Sequence, residues 1–386
     1  MLCGREADIR TIADNCRAGR FTVLTSEPGL GASSLLRAGV APALQRAGYI
    51  TVVHSAWQGR YFAERLRDAI ATAVHEQADG AFVPDLDALR DFLGRAHRKT
   101  GRTVAILLDQ FEDYLQIQAE TDIANDFDAE LSDAVSSRAG CFIIGLHPDA
   151  IPALERLNQH IPNLMGNRMA LGPISTEAGK ELVRKAAARA DMKIEAEAVD
   201  QIVAAPPAAV EGGVHPLFAA VGAACLLEAE SNLKSRVARA ATLTANGGAG
   251  RLILGSIDPV IDELGTNHAE LLLRWIPFLL SPDGRRLVAR EEALVAHAGK
   301  WNRFAVTLLP LLLKKDILRA LEMPAGLRYE IARQSTATVV NDWWVRAEAT
   351  IAARQRALFR IRSISIAAGA IILAYLIYLF FSVKQT

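Results

Sequence analysis

The segments that decide the fold are Phe21-Thr22-Val23-Leu24-Thr25, Ser26-Glu27-Pro28-Gly29-Leu30-Gly31-Ala32-Ser33-Ser34, and Leu35-Leu36-Arg37-Ala38-Gly39. The first is short, mostly apolar and rich in β-branched residues, the composition of a buried strand. The second is a turn of glycine, proline and serine. The third carries a helical pattern onward to Ala47, with a kink or restart expected at Pro42. A strand, a glycine-rich turn and a helix in that order point a run of backbone N–H groups, and the start of a helix dipole, at one place. Anions bind there.

Outward from this unit, further apolar runs follow at Tyr49–His54, Thr103–Leu108 and Cys141–Leu146. Helical patterns separate them, at about Tyr61–Glu76, Leu86–Lys99 and Asp126–Ser137, and another precedes the unit at residues 5–19. Strands alternating with helices imply a parallel sheet with right-handed crossovers. After about residue 170 the apolar strands stop and helices take over, at Thr176–Ala190, Glu197–Ala205, Pro216–Glu230, Ser256–Leu264 and His268–Leu280. The turn residues Ser281-Pro282-Asp283-Gly284 follow, and Ile317–Met323 and Leu327–Ile331 flank Pro324-Ala325-Gly326 as a hairpin. Helices followed by a hairpin form the pattern of a winged helix. The expected organisation is an α/β nucleotide-type domain over residues 1–170, a helical domain over 171–250, a winged-helix-like domain over 251–344, a linker helix over 345–362 and a membrane span over 363–383.

The turn after the first strand matches the phosphate-loop pattern G-x-x-x-x-G-K-[ST] with two departures: Ser26 stands for the first glycine and Ala32 for the lysine. Gly29 and Gly31 let the backbone curl, and Ala32, Ser33 and Ser34 line the start of the helix. Ser33 sits where a hydroxyl would ligate Mg²⁺. The lysine that Ala32 replaces normally reaches the β- and γ-phosphates and neutralises developing charge. Its loss removes roughly 1.5–3 kcal/mol of binding, and more from the transition state. Asp109 directly follows the apolar run of the third strand, where a carboxylate would hold the Mg²⁺ shell. Glu112 or Asp113 would polarise the attacking water. Arg5 and Arg37 are the candidate substitutes for the missing cation, but Arg37, one turn into the helix, is expected to point along it, away from the phosphates.

Composition excludes several classes. The 43 basic and 43 acidic residues leave a formal net charge of zero, without the basic excess of a nucleic-acid binder. The hairpin tip carries no charge, and nucleic acid is rejected as the main partner. Cys3, Cys16, Cys141 and Cys225 form no CxxC pair and read as reduced, scattered thiols. The N-terminus shows no basic region followed by an apolar run, so no signal peptide is expected. Ile364–Val383 contains no charged residue and is long enough for one membrane crossing. Arg354, Arg356, Arg360 and Arg362 precede it and only Lys384 follows, which places residues 1–362 in the cytoplasm at the inner membrane. Ser365 with Gly369, and Ala370 with Ala374, are small-residue pairs suited to self-association of the span.

These residues resemble the bacterial branch of the STAND class of P-loop NTPases. Members commonly begin with a "GRE" segment, to which Gly4-Arg5-Glu6 is similar. Their phosphate loop usually continues "GKSSLLRAG", which resembles Gly31–Gly39 with Ala32 on the lysine column. Their acidic segment commonly reads "DQFEE", similar to Asp109-Gln110-Phe111-Glu112-Asp113. A strand-end arginine in the family is His147 here. A "GxP"-type motif that contacts nucleotide resembles Gly213-Val214-His215-Pro216, and a "HEaL" segment has Arg333 in place of its histidine.

The resemblance implies an ATP- or ADP-controlled switch with Mg²⁺ as cofactor, Gly4, Arg5 and Pro216 at the nucleotide, and roles in signalling, programmed cell death or defence against phage. A sensor or effector would be supplied by a partner protein or by the membrane segment. Three readings follow: a switch that binds nucleotide but hydrolyses it weakly or not at all because of Ala32, a nucleotide-free scaffold at the membrane, and an active ATPase with a substitute cation.

Overall fold

The computed structural model describes residues 2–78, 88–117, 122–159, 161, 164–281, 286–323, 326–332 and 336–351. β1 (Phe21–Ser26), β2 (Ile50–His54), β3 (Val104–Leu108), β4 (Cys141–Leu146) and β5 (Arg168–Leu171) form one sheet in the order β2-β3-β4-β1-β5. Every pairing is parallel. The first four strands are the apolar runs of the sequence. β5 has no such run: it is an edge strand of four residues, of which only Leu171 is buried, so no hydrophobic pattern announces it.

Alternate residues of the central strands feed two cores, as the two-residue period of a strand requires. On one face lie α1 (Glu6–Gly19), α2 (Ala32–Leu35) and α3 (Ala41–Arg46). Their Ile12, Leu35 and Leu44 pack with Leu36 on Leu24, Ala105, Leu107 and Ile143. On the other lie α4 (Phe62–Ala78), α5 (Leu89–Thr100), α6 (Phe111–Ile117) and α7 (Asp122–Ser136). Phe62, Phe92, Phe111 and Leu131 pack there on Val23, Ile106, Leu108 and Phe142. Between α2 and α3 the helix widens into a π turn, Leu36–Val40. The irregularity expected at Pro42 therefore falls on the turn before it, where a proline without an N–H breaks the regular ladder.

Two cysteines correct the sequence reading. Cys16 of α1 and Cys141 of β4 are joined as a disulfide across 125 residues, with Cα atoms 5.9 Å apart. The packing of α1 against the sheet brings them together, which no spacing in the sequence announces. Cys3 and Cys225 are thiols.

α8 (Ile151–Leu154) follows β4, and β5 leads into a helical block of α9 (Thr176–Arg189), α10 (Ala196–Ala204), α11 (Pro216–Asn232), α12 (Ala240–Ala245) and α13 (Ala249–Leu254). Its core gathers Val183, Val199, Ile202, Phe218, Leu226 and Ile253, with Cys3 and Ile174 inserted from outside the helices. α14 (Asp258–Leu264), α15 (Thr266–Leu279), α16 (Glu291–His297) and α17 (Asn302–Lys314) come next. An antiparallel hairpin of Leu318–Met323 and Gly326–Ile331 follows, and Ala289–Arg290 adds a third strand to it.

Residues up to Val339 form one unit, and the chain from Val340 is a second, helical to residue 351. The rest of the expected linker helix, the span 363–383 and its small-residue pairs, the turn Pro282-Asp283-Gly284, Pro324-Ala325 of the hairpin tip and Arg333 lie outside the described residues. Among the described residues no helix is long and apolar enough to cross a membrane.

Candidate functional site

The loop after β1 is shaped by its glycines. Gly29 and Gly31 have φ of 84° and 96°, the left-handed region that favours glycine. A Cβ on Gly31 would meet nothing within 4 Å, whereas one on Gly29 would lie 2.5 Å from His215 Cε1. His215 immediately precedes α11, and its Nε2 lies 3.2 Å from Pro28 O. A carbonyl can only accept, so Nε2 carries the proton in this contact. Burial pushes the His215 pKa down, against the raising influence of Pro28. Pro216 opens α11 directly behind this contact.

The first helical bond after the loop runs from Leu35 N to Gly31 O at 2.8 Å. The N–H groups of Ala32, Ser33 and Ser34 therefore have no partner within the helix and remain for a ligand. Arg5 lies beneath the loop. Its Nη2 donates to Leu30 O and Gly172 O, both at 2.7 Å, and its Nη1 to Asp8 Oδ2 at 3.0 Å. Gly4 beside it has φ of 67° and sits against Ala178, whose Cβ would be 2.4 Å from an added Cβ. Gly4 and Arg5 thus strap the loop to β5 and α9, with the guanidinium directed at carbonyls.

Asp109 leaves β3 with its backbone fixed at both ends. Its N–H donates to His54 O at 2.8 Å, and its C=O accepts from Trp57 Nε1 at 2.8 Å. Trp57 stands in an aromatic cluster, 5.2 Å from Phe111 and 5.5 Å from Tyr114 between ring centres. The carboxylate faces the loop. Oδ1 accepts from Ser33 Oγ at 3.0 Å and Oδ2 from Arg37 Nη2 at 3.3 Å. Burial raises the Asp109 pKa, and the Ser33 bond and Arg37 charge oppose that shift.

The direction of Arg37 reverses the sequence expectation. Helical side chains lean back toward the N-terminus, and residues four apart share a face. Ser33 and Arg37 therefore both reach Asp109, and Arg37 Nη2 also donates to Ser55 Oγ at 3.0 Å. Ser33 and Asp109 are the hydroxyl and carboxylate expected to hold Mg²⁺. Each carboxylate oxygen accepts one hydrogen bond, one of them from a cation, so a metal ion at this pair would compete with Arg37 for Asp109.

Glu112 and Asp113 begin α6 but part company. Glu112 Oε2 accepts from His147 N at 3.2 Å, and the His147 ring places Nε2 3.0 Å from Glu27 Oε2 in the loop. Burial, and then the neighbouring Asp113 charge, pushes the Glu112 pKa up to about 7. Such a carboxyl can exchange a proton near neutrality. Asp113 turns to the C-terminal hairpin, where Arg319 Nη1 and Nη2 donate to its two oxygens at 2.8 Å each. Arg319 Nε also donates to Glu330 Oε1 at 2.5 Å, and Arg286 Nη1 to the same oxygen at 3.3 Å. Burial alone would lower the Arg319 pKa, but Asp113 and Glu330 together raise it.

The structure thus gathers Gly29, Gly31, Ala32, Ser33, Asp109 and Glu112 around one loop. Gly4 and Arg5 lie beneath it, Ser34 is exposed on α2, and Asp113 faces the hairpin. Sequence reasoning did not assign a role to Trp57, His215 or Arg319. His215 had a signal, its place directly before Pro216. The other two had none, because their partners are distant in sequence.

The family described as Novel STAND NTPase 1 matches residues 1–333. Among solved structures, the chain is similar to the Walker-type ATPase PABY2304 of Pyrococcus abyssi at 16% identity and a TM-score of 0.46, covering 87% of this chain and 95% of that one. It is similar to the ADP form of the Aeropyrum pernix ORC2 protein at 13% identity and a TM-score of 0.46, over 90% and 95% of the two chains. For the Aeropyrum pernix ORC1 protein in complex with DNA the identity is 15%, the TM-score 0.47 and the coverage 90% and 94%. No curated protein sequence matches the chain.

Proposed function

The chain belongs to the novel STAND NTPase 1 family, and on that premise we propose that it is a nucleotide-responsive switch that holds ATP or ADP in the loop Ser26–Ser34 and hydrolyses ATP slowly or not at all. One observation carries the switch: one downstream part of the chain touches the loop and the other touches the acidic segment beside it. The helical block places His215 on Pro28 and Gly29, and the C-terminal hairpin grips Asp113 through Arg319. A ligand that alters the loop or the acidic segment changes contacts with both. α15, α16, α17 and the hairpin act as the winged helix of this arrangement.

Ala32 supports the slow turnover, because the loop has no lysine to follow the charge of the transferring phosphoryl group. Glu112 keeps the position and the near-neutral proton of a base. Residues 363–383 serve as a single membrane span, with residues 1–362 on the cytoplasmic side and the sensor or effector on a partner protein. Defence against phage is the role that this arrangement serves.

The test is the nucleotide content of the purified 386-residue chain, released by denaturation and quantified. About one ADP or ATP per chain is the expected result. No released nucleotide, together with no binding of millimolar ATP with or without Mg²⁺, would overturn the switch and leave a scaffold.

A further inference from the structure

We infer that Arg37 is a tethered cation standing in the place of the divalent ion, so that this chain holds a nucleoside di- or triphosphate without metal. The inference rests on the nucleotide reading above and specifies its chemistry.

Three observations lead to it. First, the two groups that would ligate a metal are bonded to each other, Ser33 Oγ to Asp109 Oδ1 at 3.0 Å, and the remaining oxygen of Asp109 accepts from Arg37 at 3.3 Å. A divalent ion at this pair would compete with Arg37 for Asp109 and sit beside a guanidinium of like sign. Second, Arg37 is held from two strand ends, by Asp109 after β3 and by Ser55 after β2, with both bonds on Nη2. Its side chain is 55% exposed, which leaves the rest of the planar fork accessible to a ligand. A guanidinium matches a phosphate with two parallel N–H donors, so the geometry suits an incoming polyphosphate.

Third, the charged groups around the loop agree with it. Ala32 removes one cation, while Asp109 and Glu27 remain as acids at the loop. Arg5 is directed at Leu30 O, Gly172 O and Asp8 beneath the loop. Arg37 instead turns to Asp109 beside Ser33, because it lies four residues after Ser33 on one helical face.

The experiment measures the affinity of the full chain for ADP by titration calorimetry, once in excess chelator and once in millimolar Mg²⁺. Mn²⁺ binding to the ADP-loaded chain is followed by electron paramagnetic resonance. The expected results are equal affinities within about twofold and no bound Mn²⁺. Arg37→Ala should weaken binding in chelator by about tenfold or more, the size of a lost charge-assisted contact. It should also make binding metal-dependent, with Mn²⁺ now retained. Arg37→Lys, which keeps the charge and loses the fork, should fall between the two. Urea unfolding of each variant checks that the fold persists. ADP binding that appears only with metal, with Mn²⁺ retained by the unaltered chain, would overturn the inference and leave the switch standing. Absence of ADP binding under both conditions would overturn the switch and the inference together.

Discussion

Removing the Arg319 side chain should unseat the C-terminal hairpin from the acidic segment, and the structure sets the size of the effect. The guanidinium meets Asp113 at 2.8 Å through two nitrogens and Glu330 at 2.5 Å through a third. Side-chain exposures are 21% for Arg319, 7% for Asp113 and 4% for Glu330. Two unit charges about 4 Å apart attract by about 4 kcal/mol at an effective dielectric of 20. Taking one partner from a buried pair strands the other charge and costs about 3–5 kcal/mol. Arg286 remains 3.3 Å from Glu330, so the stranded charge is chiefly Asp113. Arg319→Ala should destabilise by about 3 kcal/mol, and Asp113→Ala by less, because Arg319 keeps Glu330 as a partner. The double replacement should cost far less than their sum, with a coupling of about 2–4 kcal/mol. Replacing both by apolar residues of similar size, Asp113→Leu with Arg319→Met, should return stability to near that of the unaltered chain. Urea unfolding followed by tryptophan fluorescence reads both sides of the contact, since Trp57 packs against Phe111 at the start of α6 and Trp275 donates to Leu294 O in α16. A coupling below about 0.5 kcal/mol would refute the argument, because a surface-like ion pair of that size cannot hold two parts of a chain together.

Three further outcomes follow from the site. Gly29→Ala should abolish nucleotide binding and destabilise the chain by about 1–2 kcal/mol through its positive φ, since the new methyl would also drive into His215; unchanged affinity would show that the loop is not the binding element. Ala32→Lys should tighten ATP binding by about tenfold or more, by the value of one charge-assisted contact, measured by calorimetry; no change would mean that the loop does not meet phosphate. Glu112→Gln tests the raised carboxyl. A folded pKa of about 7 against an ordinary 4.5 means that the folded chain binds more protons between those values. That contribution is fully present below pH 4.5 and is lost as pH rises toward 7, at up to about 1.4 kcal/mol per pH unit. The Gln variant should lose this slope between pH 5 and pH 8 in urea midpoints; parallel pH profiles would count against a buried Glu112.

What the sequence made legible was set by how local the signal is. β1 to β4 are buried on both faces and so appear as apolar runs, and the loop between β1 and α2 follows from its glycines. β5 has one buried residue and leaves no pattern. The hairpin was legible from its turn residues, but its grip on Asp113 joins positions 206 residues apart and has no local trace. The Cys16–Cys141 pair was missed for the same reason. Arg37 is a different kind of miss: its position was seen and its direction misjudged, because the lean of helical side chains toward the N-terminus carries it back to Ser33 and Asp109. Trp57 was passed over because a single aromatic in a loop says nothing about the carbonyl it will meet.

Ile174 and Val214 exchange two backbone bonds, at 3.0 Å and 2.8 Å. Val214 is followed at once by His215, whose ring rests on the phosphate loop, and Ile174 stands just two residues beyond Gly172, next to the end of β5. The ring and the sheet edge are therefore geared through a linkage only a few residues long. A displacement of His215 would therefore be felt at the start of α9 and of α11 alike. In the proposed switch, this short linkage is the route by which a small shift at the loop would reach the helical block.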